Sequence, residues 1–204
     1  MTSKSIIQLA SLRPLILGSG SPRRFRLLTE AGVTFTRIVP QTEEAMKPNE
    51  APYAYAERLA GEKALEVSRE NANSAVVLGC DTIVVLNGEV LGKPENEQEA
   101  FEILSRLSGQ THVVCTAIAL AVDGKLTMSG YELTEVHFNS VTSKQIREYI
   151  TSGEPMDKAG AYGIQGMGAF LVDYIEGNLD NVIGLPGKLL DELAARLLST
   201  ISRD

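Results

Sequence analysis

The chain is poor in the residues that build the commonest metal and disulfide sites. Its 204 residues include no tryptophan, two histidines (His112 and His137) and two cysteines (Cys80 and Cys115). Two histidines cannot supply a His-rich metal centre. Two cysteines set in apolar runs imply buried reduced thiols rather than a disulfide framework. No apolar run reaches the ~18 residues of a membrane-spanning helix, so no membrane contact is expected. Residues 1–14 carry no convincing signal-peptide core or cleavage site, which makes a cytoplasmic location the expectation. Positive charge is scarce as well: 19 Lys and Arg against 26 Asp and Glu leave a net charge of -7. A general nucleic-acid binder needs a basic face, so no nucleic-acid partner is expected. There is no internal repeat and no low-complexity linker. What remains is an ordinary globular composition, 44% hydrophobic and 22% charged, long enough for one domain or two small lobes with a real core. An acidic protein that handles an anion must concentrate its few cations or recruit a metal.

Residues 15–32, LILGSGSPRRFRLLTEAG, concentrate those cations. Leu15-Ile16-Leu17 is a short apolar run suited to a buried strand. Gly18-Ser19-Gly20-Ser21 follows, with Ser21 as an N-cap and Pro22 at the first helical position. Phe25, Leu28 and Ala31 recur at helical spacing, and Gly32 is the stop. A helix N-terminus suits an anion. Arg23 and Arg24 sit in that first turn, where the helix dipole disfavours cations; a bound polyanion would account for them. The plainer reading is an arginine pair solvated on a helix surface. The loop lacks the GK[ST] ending of a Walker A motif.

Further along, residues 33–39 are rich in β-branched side chains and read as a strand, and 41–49 as a loop carrying Glu43 and Glu44. A helix runs from Pro52 to about Arg69, with Lys63 on its apolar face. That lysine either snorkels to the edge or aims a cation into a site. Residues 74–86, SAVVLGCDTIVVL, form a nearly continuous apolar strand holding Asp81. A carboxylate there is costly unless hydrogen-bonded, protonated or holding a metal; the plainer reading is a bulge or strand end. Asn87-Gly88 turns the strand into a hairpin that brings Lys93 back toward Asp81. Asn96 caps a helix with Glu99 at the capping-box position. Strands are expected over 111–122, 126–129, 131–138 and 169–175, and helices over 143–152 and from Pro186 onward. Between them, 154–168 is a Gly-rich loop loaded with Asp157, Lys158, Tyr162 and Gln165. Its glycines are expected to let backbone approach a ligand. The alternation of elements implies an α/β fold with a mixed sheet.

Ser19, Arg23, Arg24, Lys63 and Lys93 as donors, with Glu43, Glu44 and Asp81 as carboxylates, describe a site for metal-assisted phosphoryl chemistry. Its cations suit a triphosphate and its carboxylates suit Mg²⁺ or Mn²⁺. The blocks SGSPRR, LGCDTIVVLNGEVLGKP, EILSRLSGQTHVV, GEPMDKAGAYGIQG and NVIGLP resemble, in order, the Maf family of nucleoside triphosphate pyrophosphatases. The resemblance covers roughly residues 15–198. It implies an elongated Maf/ITPase-like α/β fold with a central mixed sheet flanked by helices and a central cleft. It also implies a homodimer, a divalent metal and hydrolysis of a nucleoside triphosphate to the monophosphate and pyrophosphate. Residue by residue, Asp81 matches the proton acceptor, and Glu44 and Asp81 are the residues expected to hold the metal. Ser19, Arg23, Lys63 and Lys93 match the phosphate side. Arg24, Thr82 and Gln165 match positions tied to substrate choice. The AYGIQG form around Gln165 resembles the branch acting on dTTP and UTP, canonical or modified; the same chemistry on 7-methyl-GTP, whose branch carries a different sequence there, is the alternative within the family. Residues 1–14 would be an extension, and 15–200 a single catalytic domain of two lobes around a cleft. A non-enzymatic nucleotide-binding regulator of septum formation is the reading from another class; the intact carboxylate set weighs against it.

Overall fold

Seven strands and seven α-helices alternate in a computed structural model that describes residues 4–71 and 74–201. In chain order they are α1 (Lys4–Leu12), β1 (Leu15–Gly18), α2 (Pro22–Glu30), β2 (Thr36–Ile38), α3 (Pro52–Glu70), β3 (Val76–Leu86) and β4 (Glu89–Leu91). There follow α4 (Glu97–Leu107), β5 (Thr111–Val122), β6 (Lys125–Phe138), α5 (Ser143–Ile150), β7 (Val172–Glu176), α6 (Leu179–Ile183) and α7 (Gly187–Ile201). The sheet runs β2-β1-β3-β5-β6-β7, with β4 beside β3. β1 is parallel to β2 and β3, whereas β3–β4 and β6–β7 are antiparallel, so the sheet is mixed as expected. The chain separates into two compact units, residues 1–81, 116–132 and 184–204, and residues 82–115 and 133–183.

In the first unit, Leu15 and Leu17 of β1, Leu28 of α2, Val76 and Leu78 of β3, Ile118 and Leu120 of β5, and Leu190, Leu193 and Leu197 of α7 share one core. α1 joins it through Ile6 and Leu9, both fully buried. Asp191 of α7 starts α1, accepting hydrogen bonds from Ser5 N (2.7 Å), Ser5 Oγ (3.1 Å) and Ile6 N (3.4 Å). This is an N-terminal carboxylate cap supplied by a different helix. The strand expected over residues 33–39 is only three residues long. Gly32 takes φ +75°, and the N–H groups of Gly32 and Val33 return to Thr29 O and Leu28 O, each within 3.2 Å. This Schellman closure of α2 consumes the start of the expected strand.

In the second unit, Val84, Leu86 and Leu91 of the β3–β4 hairpin pack with Leu104 and Leu107 of α4, Val136 and Phe138 of β6, and Ile146, Tyr149 and Ile150 of α5. Asn87 and Gly88, at φ 51° and 82°, make the expected two-residue turn and pair Leu86 with Glu89. Asn96 caps α4 by accepting from Glu99 N at 2.9 Å, but the Glu99 carboxylate bonds Glu95 N rather than completing the box on Asn96. A full capping box opens α5 instead, between Thr142 and Gln145. The two strands expected over 126–129 and 131–138 are one strand, β6. The Asp123-Gly124 turn (φ 49° and 72°) starts it against the long β5, and Gly130 does not interrupt it. The Gly-rich segment is not irregular throughout: residues Glu154–Asp157, Ala159–Ala161 and Gly166–Leu171 are short 3₁₀ turns, and the last of these delays β7 to Val172.

Candidate active site

Gly18, the last residue of β1, lies opposite Gly79 of β3. The Gly/Ser loop therefore leaves the sheet alongside Cys80 and Asp81. Ser21 caps α2 as expected, accepting from Arg24 N at 3.4 Å. Ser19 and Arg24 are buried, 4% and 9% exposed, which disposes of the solvated reading for Arg24. Arg24 Nη1 donates to Ser19 Oγ at 3.0 Å and Nε donates to Gly184 O at 2.8 Å. Arg24 thus braces the loop, and Arg23 is half-buried beside it.

Gly79 decides how α3 meets β3. A Cβ there would lie 2.2 Å from Ala60 O and 2.7 Å from Ala64 N, so helix backbone rests directly on strand backbone. Asp81, two residues on, faces the same helix because strand side chains alternate with period 2. Lys63 sits on α3 one residue before Ala64. Its ammonium donates to Asp81 Oδ1 and to Glu44 Oε1, both at 2.6 Å. Lys63 and Asp81 are 7% and 6% exposed. Lys63 therefore does not snorkel, and Asp81 lies inside a strand rather than at its end. Breaking such a buried pair by removing one member costs about 3–5 kcal/mol, because the other charge is left uncompensated. The Cys80 thiol beside them is pushed up to about 11 by burial, while the Arg24 and Lys63 charges pull the other way. Cys80 and Cys115 are both buried thiols outside any disulfide, as expected.

The Glu44 side chain is 42% exposed, yet its loop is fastened to α3 by three side chains whose roles composition does not reveal. Glu66 accepts from Gln41 N at 2.6 Å and from the Thr42 hydroxyl, and these bonds hold its carboxyl below the ordinary value. Tyr55 donates to Glu44 O at 3.1 Å, and burial, then the charges of Asp81 and Glu44, raise its phenol. Arg58 donates to Ala45 O at 2.9 Å and grips Glu50 in a two-point pair at 2.6 and 2.7 Å. That pairing is the main cause that lowers Glu50 to about 2. Glu43 is exposed. Among the described residues no group of three or more His, Cys, Asp and Glu side chains gathers as a metal cluster. The oxygen-bearing pair Glu44 and Asp81 nonetheless fits a hard divalent ion, which is commonly held by one or two carboxylates with water and substrate phosphate completing its shell.

Thr82, Lys93 and Gln165 belong to the second unit. Thr82 is half-buried in β3, whereas Lys93 and Gln165 are exposed. Gly160 N donates to Gly92 O at 3.0 Å, which ties the Gly-rich segment to the stretch bearing Lys93. Tyr162 is buried against Phe138 and His112, and its hydroxyl lies 2.8 Å from His112 Nε2. The glycines of the segment also pack against nearby side chains. A Cβ on Gly163 would meet Glu154 Oε1 at 3.1 Å, one on Gly166 would meet Glu154 Oε2 at 2.9 Å, and one on Gly168 would meet Tyr149 Oη at 2.6 Å. They let the segment close on two of its own neighbours.

The family model described as "Maf-like protein" matches residues 14–197. A protein from Escherichia coli O157:H7 named dTTP/UTP pyrophosphatase is 51% identical over 172 residues, covering 84% of this chain and 87% of that protein. A protein from Shigella flexneri named nucleoside triphosphate pyrophosphatase is 50% identical with the same coverage. Among solved structures, a HAM1 protein from Coxiella burnetii aligns at 17% identity with a TM-score of 0.49, covering 92% of this chain and 99% of that one. No helix among the described residues is long and apolar enough to cross a membrane. The extent of the family match and the identity over most of both chains show that this protein belongs to the Maf-like family.

Proposed function

We propose that the chain hydrolyses dTTP and UTP, canonical or modified, to the monophosphate and pyrophosphate. The observation that carries this reading is the Lys63 ammonium held between Asp81 and Glu44 at the end of the Gly/Ser loop. Lys63 takes one Asp81 oxygen and leaves the other to accept a proton from the attacking water. The low exposure of Asp81 limits competing water around it and strengthens its electrostatics. Ser19, the α2 N-terminus and Arg23 supply donors for phosphate oxygens, and Arg24 holds Ser19 in place. Glu44 and Asp81 would hold Mg²⁺ or Mn²⁺, which when bound neutralises charge on the leaving pyrophosphate. Lys93 on the phosphate side, with Thr82 and Gln165 in substrate choice, follow the family resemblance, as do a homodimer and a cytoplasmic location. The named relatives support the pyrimidine preference.

The test is product analysis over dTTP, UTP, CTP, GTP and 7-methyl-GTP, with Mg²⁺ or Mn²⁺ and with a chelator. Pyrophosphate and monophosphate from dTTP and UTP, lost with chelation, are expected. Release of orthophosphate, preference for 7-methyl-GTP, or binding without turnover would contradict the reading.

A further inference from the structure

Three backbone N–H groups around Gln165 end on one pair of side chains. Tyr149 Oη accepts from Gly163 N at 3.1 Å, two residues before Gln165. Glu154 accepts from Met167 N (3.1 Å) and Gly168 N (3.2 Å), two and three residues after it. Tyr149 in turn donates to Glu154 Oε1 at 2.9 Å, so the two anchors are one unit. Lys158 Nζ donates to Glu154 O at 2.5 Å and fixes the backbone from which the carboxylate projects. Tyr149 is 2% exposed and packs in the second unit's core, which gives the clamp a rigid base. Its phenol is pushed well above the ordinary value, by burial first and then by Glu154, so it remains a donor throughout the working pH range. Gly163, Gly166 and Gly168 have no Cβ where one would strike this pair.

A turn held on both sides of one exposed side chain presents that side chain at a set height and angle. We propose that Glu154 and Tyr149 are positioning residues that hold the Gln165 turn and thereby set pyrimidine selectivity. This rests on the function proposed above. Neither residue touches the nucleotide; both act through Gln165. Glu154→Gln puts an NH₂ where an oxygen now accepts from a backbone N–H, so at least one of the three accepted bonds is lost. Tyr149→Phe keeps the ring in its core site and removes both the donor to Glu154 and the acceptor for Gly163 N.

The experiment measures kcat and KM for dTTP, UTP, CTP and GTP in wild type, Glu154→Gln, Tyr149→Phe, Gln165→Ala and the two double variants with Gln165→Ala. The clamp predicts at least a ~10-fold loss of kcat/KM for dTTP and UTP, carried by KM, and a smaller loss for GTP. It also predicts that neither substitution adds to the loss already caused by Gln165→Ala, because a shared route makes the effects non-additive. Equal losses on all four nucleotides, losses additive with Gln165→Ala, or unchanged selectivity would overturn the proposal. If Glu154→Gln does not fold, Tyr149→Phe decides by the same criteria. A wild type that releases no pyrophosphate from any nucleotide overturns the function itself, which separates that failure from failure of the clamp alone.

Discussion

Lys63→Met is the perturbation in which the structure alters expectation most. On sequence grounds the change is mild, since methionine keeps most of the aliphatic stem on an apolar helix face. The structure places the ammonium 2.6 Å from both Asp81 and Glu44, and the two partners respond differently to its loss. The Glu44 side chain is 42% exposed, so water takes over there at little cost. Asp81 is 6% exposed and would be left as a buried, uncompensated carboxylate. A cost of about 3–5 kcal/mol follows, or roughly 6–20 °C in Tm for a chain of this size. Changing both partners, as Lys63→Met with Asp81→Asn, removes the stranded charge and should recover most of that loss. The assay is urea unfolding of wild type, both single variants and the double variant at pH 7.5, with m values compared to establish that the same unfolding is measured. A Lys63→Met protein within about 0.5 kcal/mol of wild type, or costs that simply add in the double variant, would refute the reasoning.

Two further outcomes are expected. Gln165→Ala should lower kcat/KM for dTTP and UTP by roughly 10- to 100-fold while affecting GTP less, since an unmatched polar edge costs about 1–3 kcal/mol; equal losses over dTTP, UTP, CTP and GTP would remove Gln165 from base reading. His112 should make the fold acid-sensitive: burial, then the nearby His137, lower it from 6.5 to about 4. The unfolded chain then binds the proton first, so stability is present above pH ~6.5 and is lost as the pH falls toward 4, up to about 3 kcal/mol in all. Unfolding curves from pH 7 to 4 should show that slope in wild type and a shallower one in His112→Gln.

Much of the fold is legible in local pattern. The strand–loop–helix at residues 15–32 announces itself through Ser21, Pro22 and Gly32. Asn87-Gly88 and Asp123-Gly124 mark their hairpins because both positions of such a turn require positive φ. What stays hidden depends on distant partners. The first turn of α1 is held by the carboxylate of Asp191, 186 residues away. β2 is short because Val33 N is already spent on the end of α2. In the site, periodicity puts Lys63 on an apolar face but cannot say that two carboxylates wait there. Gly79, as a lone glycine in a strand, was the available signal of close helix approach. Glu154 was obscured for a related reason: the glycines of its segment are visible in sequence, whereas the carboxylate they enclose is identified only by geometry.

The central claim is that Asp81, held by Lys63, takes the proton from the attacking water. The direct measurement is kcat for pyrophosphate release from dTTP by wild type and Asp81→Asn, with circular dichroism and thermal melts to establish that the variant is folded. The account predicts a fall on the order of 10²-fold or more in a folded protein. Near-normal turnover by folded Asp81→Asn would contradict it.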